Sequence, residues 1–433
     1  MMTLGDAPVR VALLGCGVVG SQVARILLAQ ADDLRARVGR PLELAGIGVR
    51  REVERPGIDA SLFTQDLAAL VERDDVDLVI ELIGGISPAR ELVLAAIGAG
   101  KSVVSANKAL LAQHGAEIFE AAAAADVDVY YEAAVAGAIP IIRPLRESLV
   151  GDEVTAVKGI VNGTTNYILD QMHTQGVTFA DALADAQRLG YAEADPTADV
   201  EGHDAAAKAA ILASLAFHTR VTLSDVACEG ISSVTAEDVQ AAESMRCVIK
   251  LLAQCSVSPD GTVAVGVHPT MVPVEHPLAG IRGAYNAVFI ESVNAGRLMF
   301  MGPGAGGSPT ASAVLGDVVT AARNRVRGVP GHGESAYSRP GITDPATVVS
   351  AYYLALTVRD EPGVLSRVAD AMARRGVSIA AVRQEQTTGE DASARLGITT
   401  HRAPDGSVRA VVDELREGGD VLGDVRVLRV EGA

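Results

Sequence analysis

VRVALLGCGVVGSQVARILLAQ, Val9 to Gln30, decides the fold. An apolar run, VRVALLG, meets Gly15-Cys16-Gly17-Val18-Val19-Gly20 and continues with apolar residues at helical spacing. Strand, GxGxxG turn and helix in that order form a dinucleotide-binding unit. Gly15 permits the tight turn, Gly17 lets the backbone approach a pyrophosphate, and Gly20 lets helix and strand pack closely. The first helical amides, at Val18 and Val19, are donors for the phosphates. A glycine-rich turn in some other α/β protein is the alternative, and the downstream pattern weighs against it. LELAGIGVR, VDLVIELI, SVVSAN and DVYYEAA read as strands; DLAALVERD, ARELVLAAIGAG and ALLAQHGAEIFEAAAAA read as helices. Near-continuous Val/Ile/Leu strands alternating with helices predict a parallel sheet covered on both faces.

The second strand ends Gly48-Val49-Arg50-Arg51. An NAD site usually carries an acid there, for the ribose 2′-hydroxyl. Arginines attract a 2′-phosphate instead, so NADP is favoured, with Arg50 the better placed and NAD still open; the other reading is that both are solvated loop charges. Ser105-Ala106-Asn107-Lys108 follows a later strand, at the sheet edge where ligands of open α/β sheets bind. Lys108 there holds a substrate carboxylate or orients the nicotinamide end, or is simply solvated.

The 433 residues are 48% hydrophobic and 3% aromatic, with a formal net charge of -17. That charge argues against nucleic acid or an anionic membrane as partner. Cys16, Cys228, Cys247 and Cys255 are scattered and form no disulfide framework or zinc motif. MMTLGDAPVR lacks the features of a secretory signal, and no apolar run reaches the ~18 residues of a membrane span. The expectation is an acidic cytoplasmic protein.

Four regions are expected. Residues 1–150 form the nucleotide domain, completed by 302–322, where GPGAGG opens a helix. Residues 151–301 form an α+β catalytic and dimerisation domain, with VTAVKGIVN a strand running into a polar NGTTN turn. Residues 325–347, rich in Gly, Pro, Ser and charge, read as a linker. Residues 348–433 read strand, helix, strand, strand, helix, strand.

The most telling stretch after the glycines is GYAEADPTADVEGHDAAAKAAILASLAF, Gly190 to Phe217. It carries Glu193, Asp195, Asp199, Glu201 and Asp204, then one lysine, Lys208, on a helix too apolar to be a surface helix. Asp204 and Lys208 are four apart, on one face. A lysine in that setting is costly unless paired or used. Held by an acid, its ammonium is suited to stabilise and protonate an oxyanion formed on hydride attack. A plain ion pair on a helix edge is the alternative.

AQRLGYAEADPTADVEGHDAAAK, Ala186 to Lys208, resembles the signature of homoserine dehydrogenases without a gap, and the resemblance extends through GCGVVG, IGGISPAR, SANKALL, YYEAAVAGAIPII, VNGTTNYIL and GPGAGG. It implies reversible NAD(P)H-dependent reduction of aspartate β-semialdehyde to homoserine, on the route to threonine, methionine and isoleucine. It implies Lys208 as acid/base, Asp204 against substrate and lysine, Glu193 at the substrate's α-ammonium, and Lys108 between cofactor and substrate. Asp199 is either support for the substrate site or a helix N-cap. Ser105 and Gly304 would border the cofactor. A sodium-like cation is implied at Glu132, by its side chain, and at Val135, Gly137 and Ile139, by their carbonyls. YYLALTVRDEPGVLSRVADAMARRGVSIAAVRQE, residues 352–385, resembles an ACT domain, which usually pairs between chains and binds an amino acid; threonine is the expected effector, and dimerisation alone is the other reading. A homodimer or homotetramer follows.

Two competing functions were weighed: a non-catalytic sensor, which has no need of Lys108 and Lys208, and a phosphorylating semialdehyde dehydrogenase, which needs an activated cysteine.

Overall fold

The computed structural model describes residues 7–51, 54–334, 336, 338, 340–385 and 393–432 in full, and the backbone of residue 386. The first six residues of the N-terminal reading and positions 335, 337 and 339 of the expected linker lie outside the described residues. The chain divides into two compact units. One comprises Met1–Val157, Ala207–Asp225 and Asn286–Arg339; the other comprises Lys158–Ala206, Val226–Tyr285 and Pro340–Ala433.

The first unit holds a six-stranded sheet: β1 (Val9–Leu14), β2 (Leu42–Gly48), β3 (Phe63–Thr64), β4 (Leu78–Glu81), β5 (Ser102–Ser105) and β6 (Val129–Tyr130). Their order is β3-β2-β1-β4-β5-β6, with every pairing parallel. This is the doubly wound arrangement the alternating pattern predicts. Val11, Leu13, Ile47, Ile80 and Val104 are fully buried in its core, together with Val314, Val318 and Ala321 of the helix Gly307–Arg327. The helix Gly307–Arg327 thus packs on this sheet. It stops at Gly328 (φ 68°), with Pro330 just beyond. The helix Ala31–Val38 was not anticipated: only Leu34 and Val38 are buried, too weak a stripe to announce itself, although Gly39 closes it in the left-handed region.

In the second unit, Cys247–Val257 and Val263–Pro273 pair antiparallel over eleven residues. Lys250 and Gln254 break the first of these runs at helical spacing, which hid its strand character. Residues 348–433 form the expected βαββαβ module: Val349–Arg359, Val364–Arg374, Ile379–Gln386, Ser393–Thr400, Asp405–Glu417 and Arg426–Val430. Its core contains Leu354, Leu356, Val368, Met372, Ile398 and Val411. The last strand, Arg426–Val430, lies antiparallel to Val349–Arg359 and parallel to Val263–Pro273. One sheet therefore runs through hairpin and module, and the module shares a unit with residues 158–206 and 226–285.

The described parts of 325–347 are tied down rather than free. Gly331 N–H donates to Asp128 at 2.5 Å, and Arg220 pairs with Glu334 at 2.8 Å, both within the first unit. In the second, Thr343 N–H donates to Val263 O at 2.9 Å.

Candidate active site

The glycine turn is built as its sequence requires. Gly15 has φ 100°, and a Cβ there would lie 2.6 Å from Leu82 O. A Cβ on Gly20 would overlap the Gly15 carbonyl. A Cβ on Gly17 would meet nothing within 4 Å, and Gly17 caps the helix Val18–Ala29 without any side-chain hydrogen bond. Val18 is exposed and Val19 half-buried, so the helix start is open to a ligand whose oxygens would take the uncapped amides. Arg50 and Arg51 are exposed beyond the end of β2. Arg55, which the sequence reading missed, donates from Nε to Cys16 O at 3.0 Å and so braces the turn.

Ser105 ends β5, and Lys108 begins the helix Lys108–Ala125 that Asn107 caps. The Ser105 hydroxyl donates to buried Glu81 at 2.6 Å, and the other Glu81 oxygen accepts from Ile83 and Gly84 N–H at 2.9 and 3.0 Å. Glu81 thereby organises the IGGISP loop. Nothing in the sequence marked it beyond an acid ending an apolar strand. Lys108 is half-buried.

Gly304 lies in the loop preceding the helix Gly307–Arg327. A Cβ there would overlap the side chain of buried Asn286, and one on Gly137 would overlap the Gly304 carbonyl. Ala138 N–H donates to Pro303 O at 3.1 Å. The 135–139 loop is thus docked on the 302–307 loop. Glu132 is buried, and its carboxylate accepts from Ile141, Ile142 and Arg143 N–H at 2.6, 2.8 and 2.9 Å. Burial raises its pKa, against the opposing pull of these three donors. Asp317 accepts from Glu132 N–H and Arg143 Nη2, both at 2.7 Å.

Asp204 and Lys208 sit one turn apart on the helix His203–Ala216, and each is only 8% exposed. In the second unit, Asp199 and Asp204 converge on one amide. Asn162 Nδ2 donates to Asp199 Oδ1 at 2.7 Å and to Asp204 Oδ2 at 2.8 Å. Asp199 lies within the short helix Thr197–Val200, so its N-cap reading is overturned; Asp195 takes the Thr197 N–H at 3.1 Å instead. Glu193 is exposed on the loop before that helix, where its carbonyl accepts from Gln187 Nε2 at 3.0 Å. NGTTN is not a turn. Asn162 caps the helix Gly163–Gln175, which starts inside it. Sequence reasoning missed Asn162 because its partners lie 37 and 42 residues away.

No thiol is activated. Burial is the main cause raising the pKa of Cys16, Cys228, Cys247 and Cys255, the last to about 12. A thiolate nucleophile needs the opposite shift, so the phosphorylating-dehydrogenase alternative has no candidate. Among the described residues, no helix is long and apolar enough to cross a membrane, and no cluster of three or more His, Cys, Asp and Glu is placed to hold a metal.

Comparison with known proteins yields three family matches: "Homoserine dehydrogenase, NAD binding domain" over residues 15–132, "Homoserine dehydrogenase" over 140–319, and "ACT domain" over 352–417. The homoserine dehydrogenase of Mycobacterium tuberculosis is 54% identical over 434 residues, covering 99% of this chain and 98% of its own. The crystal structure of a homoserine dehydrogenase from Thiobacillus denitrificans is 38% identical with a TM-score of 0.93, covering 98% of both chains. A hyperthermophilic archaeal homoserine dehydrogenase in complex with NADPH is 28% identical with a TM-score of 0.62, covering 72% of this chain and 97% of its own.

Proposed function

This chain belongs to the homoserine dehydrogenases, NAD(P)-dependent oxidoreductases, and we propose that Lys208 is the acid/base of its reaction, held by Asp204. The observation that carries this is a lysine and an acid one turn apart, both buried, on a helix whose other residues from Ala205 to Ala213 are apolar and buried. Buried charges of this kind are retained where they are paired or used. When bound, NAD(P)H would supply the hydride for reduction of aspartate β-semialdehyde, and the oxidised cofactor would accept it from homoserine. Lys208 donates a proton to the oxygen formed from the aldehyde, and takes it back from the homoserine hydroxyl in reverse. Asp204 keeps the ammonium charged and aimed, and with Asp199 and Glu193 faces the substrate's α-ammonium side. Lys108 lies between cofactor and substrate. The cofactor's phosphates would rest on Gly15, Gly17, Val18, Val19 and Gly20, with Ser105 and Gly304 bordering its nicotinamide end.

NADP is preferred to NAD on this reading. Exposed Arg50 supports it, as does the absence of an acid at the end of β2.

A sodium-like cation fits Glu132 and the carbonyls of Val135, Gly137 and Ile139. Ala136 and Gly137 are consecutive left-handed residues, at φ 56° and 59°. Among the described residues, the backbone bonds of this loop use the carbonyls of Tyr131, Glu132 and Ala136 and leave the other three aside. Three N–H donors also leave the Glu132 carboxylate one acceptor site of about four. The cation's role there is structural, fixing the 135–139 loop.

Threonine, the end product of the pathway, is assigned to the module at Asp360–Gly363, where Gly363 (φ 93°) opens the helix Val364–Arg374 without a side-chain cap. Pairing of modules between chains gives a homodimer or homotetramer. Four cysteines outside any disulfide support a cytoplasmic location.

Lys208→Ala tests the central assignment. Homoserine-dependent reduction of NADP should fall by about 10²- to 10⁴-fold, the usual range of a lost acid/base, with NADPH affinity and melting temperature kept. Turnover near wild type would remove Lys208 from the chemistry.

A further inference from the structure

We propose that Asn162 is a positioning residue for the reaction: its side-chain amide holds the carboxylates of Asp199 and Asp204 in one fixed arrangement. The proposal rests on the reading of Asp204 and Lys208 given above.

Asn162 is only 5% exposed, and its amide is bonded at both N–H groups and at its oxygen, with the Thr165 hydroxyl shared between that oxygen and the Asn162 carbonyl. Its two N–H groups go to Asp199 Oδ1 and Asp204 Oδ2. Its oxygen accepts from Thr165 N–H at 2.9 Å and from the Thr165 hydroxyl at 3.1 Å. The Thr165 N–H is a donor and cannot face an NH₂ group, so the oxygen must point at Thr165 and the nitrogen at the acids. The orientation is therefore fixed by chemistry. Two carboxylates sharing one neutral donor are held close to each other.

The backbone around Asn162 is equally constrained. A Cβ on Gly163 would lie 2.7 Å from Ala284 O, so the chain passes tightly there. Thr164 Oγ1 donates to Tyr191 O at 2.6 Å, two residues before Glu193. The same helix start thus touches both acid-bearing segments, 191–193 and 199–204. Asn162 also caps the helix Gly163–Gln175, and this structural duty must be separated from the positioning one.

Serine and aspartate are as good N-caps as asparagine, and neither carries the bridging NH₂. Asn162→Ser in the full-length enzyme should keep its melting temperature within about 2 °C and its NADPH affinity unchanged, while kcat falls by about 10- to 100-fold, the scale of a displaced catalytic group. Asn162→Asp keeps the cap and the side-chain size but sets a third carboxylate against Asp199 and Asp204, with only the Thr165 N–H and hydroxyl on its other side. Its kcat should fall further, and the acid limb of its pH profile should move to higher pH, because like charges favour protonation. Lys208→Ala is measured alongside. If it retains turnover, the underlying reading fails and this one with it. If it is inactive while Asn162→Ser and Asn162→Asp both keep wild-type kcat and pH profile, Asn162 is a cap alone and the proposal is overturned.

Discussion

Gly15 and Gly17 are two residues apart, and the structure assigns them different duties that alanine separates. At Gly15, alanine meets two obstacles. The backbone holds φ at 100°, which costs an L-residue roughly 1–2 kcal/mol. The new Cβ would lie 2.6 Å from Leu82 O and 2.8 Å from Leu82 C, backbone atoms of the neighbouring strand's end. Restoring ordinary contact needs a retreat of about 0.8 Å, and overpacking of this kind costs roughly 1–3 kcal/mol. Gly15→Ala should therefore destabilise the enzyme by roughly 2–5 kcal/mol, or about 5–15 °C for a unit of this size. It should also weaken NADPH binding by about 10²-fold, because the turn no longer presents its amides in place. At Gly17 the backbone is ordinary, with φ -75°, and nothing lies within 4 Å. Gly17→Ala should leave stability within about 0.5 kcal/mol, yet weaken NADPH by at least about 10-fold, since its methyl projects where a pyrophosphate would approach. Thermal unfolding without cofactor and quenching of NADPH fluorescence read the two effects separately. A Gly17→Ala enzyme binding NADPH like wild type would refute the placement of the phosphates; an unshifted melting temperature for Gly15→Ala would refute the steric reasoning.

Arg50→Ala should raise KM for NADP by about tenfold and leave KM for NAD nearly unchanged; equal effects on the two cofactors would deny it the 2′-phosphate. Lys250 is 1% exposed, and burial pushes its pKa down to about 8, although its ammonium donates to Asn166 Oδ1 at 2.9 Å and Ile281 O at 2.5 Å. The unfolded chain binds this proton up to about pH 10.4, so stability should rise between about pH 8 and 10 by up to roughly 3 kcal/mol. The difference in melting temperature between wild type and Lys250→Met should change across that window, and a constant difference would mean that the lysine stays charged in the folded enzyme. Millimolar threonine should alter turnover or raise the melting temperature, and the module has no threonine site if it does neither.

What the sequence made legible was local or periodic. Gly15 and Gly20 are required by backbone contacts a few residues away or at the next strand, so a short motif announces them. The spacing of Asp204 and Lys208 survives intact because a helix fixes it. Asn162, Glu81 and Arg55 were invisible for the opposite reason: each acts through partners brought together only by the folded chain. Cys247–Val257 carried no strand signature of its own, because its buried Lys250 interrupts the apolar run. The stretch from 325 looked like a linker on composition, yet backbone bonds to Asp128 and Val263 anchor it, and composition carries no trace of such bonds. The carbonyl ligands expected of a cation are silent in the same way.

The strand Arg426–Val430 has a bearing on any attempt to remove the C-terminal module. Excising the module would strip Val263–Pro273 of a parallel partner at Thr270 and Met271 and leave Lys158 and Gln254 without Glu431, to which they now donate at 2.6 and 2.8 Å. The bared strand would present open amides and carbonyls to other molecules, an invitation to aggregate. Point changes around Asp360–Gly363 leave that seam in place, whereas truncation would open it.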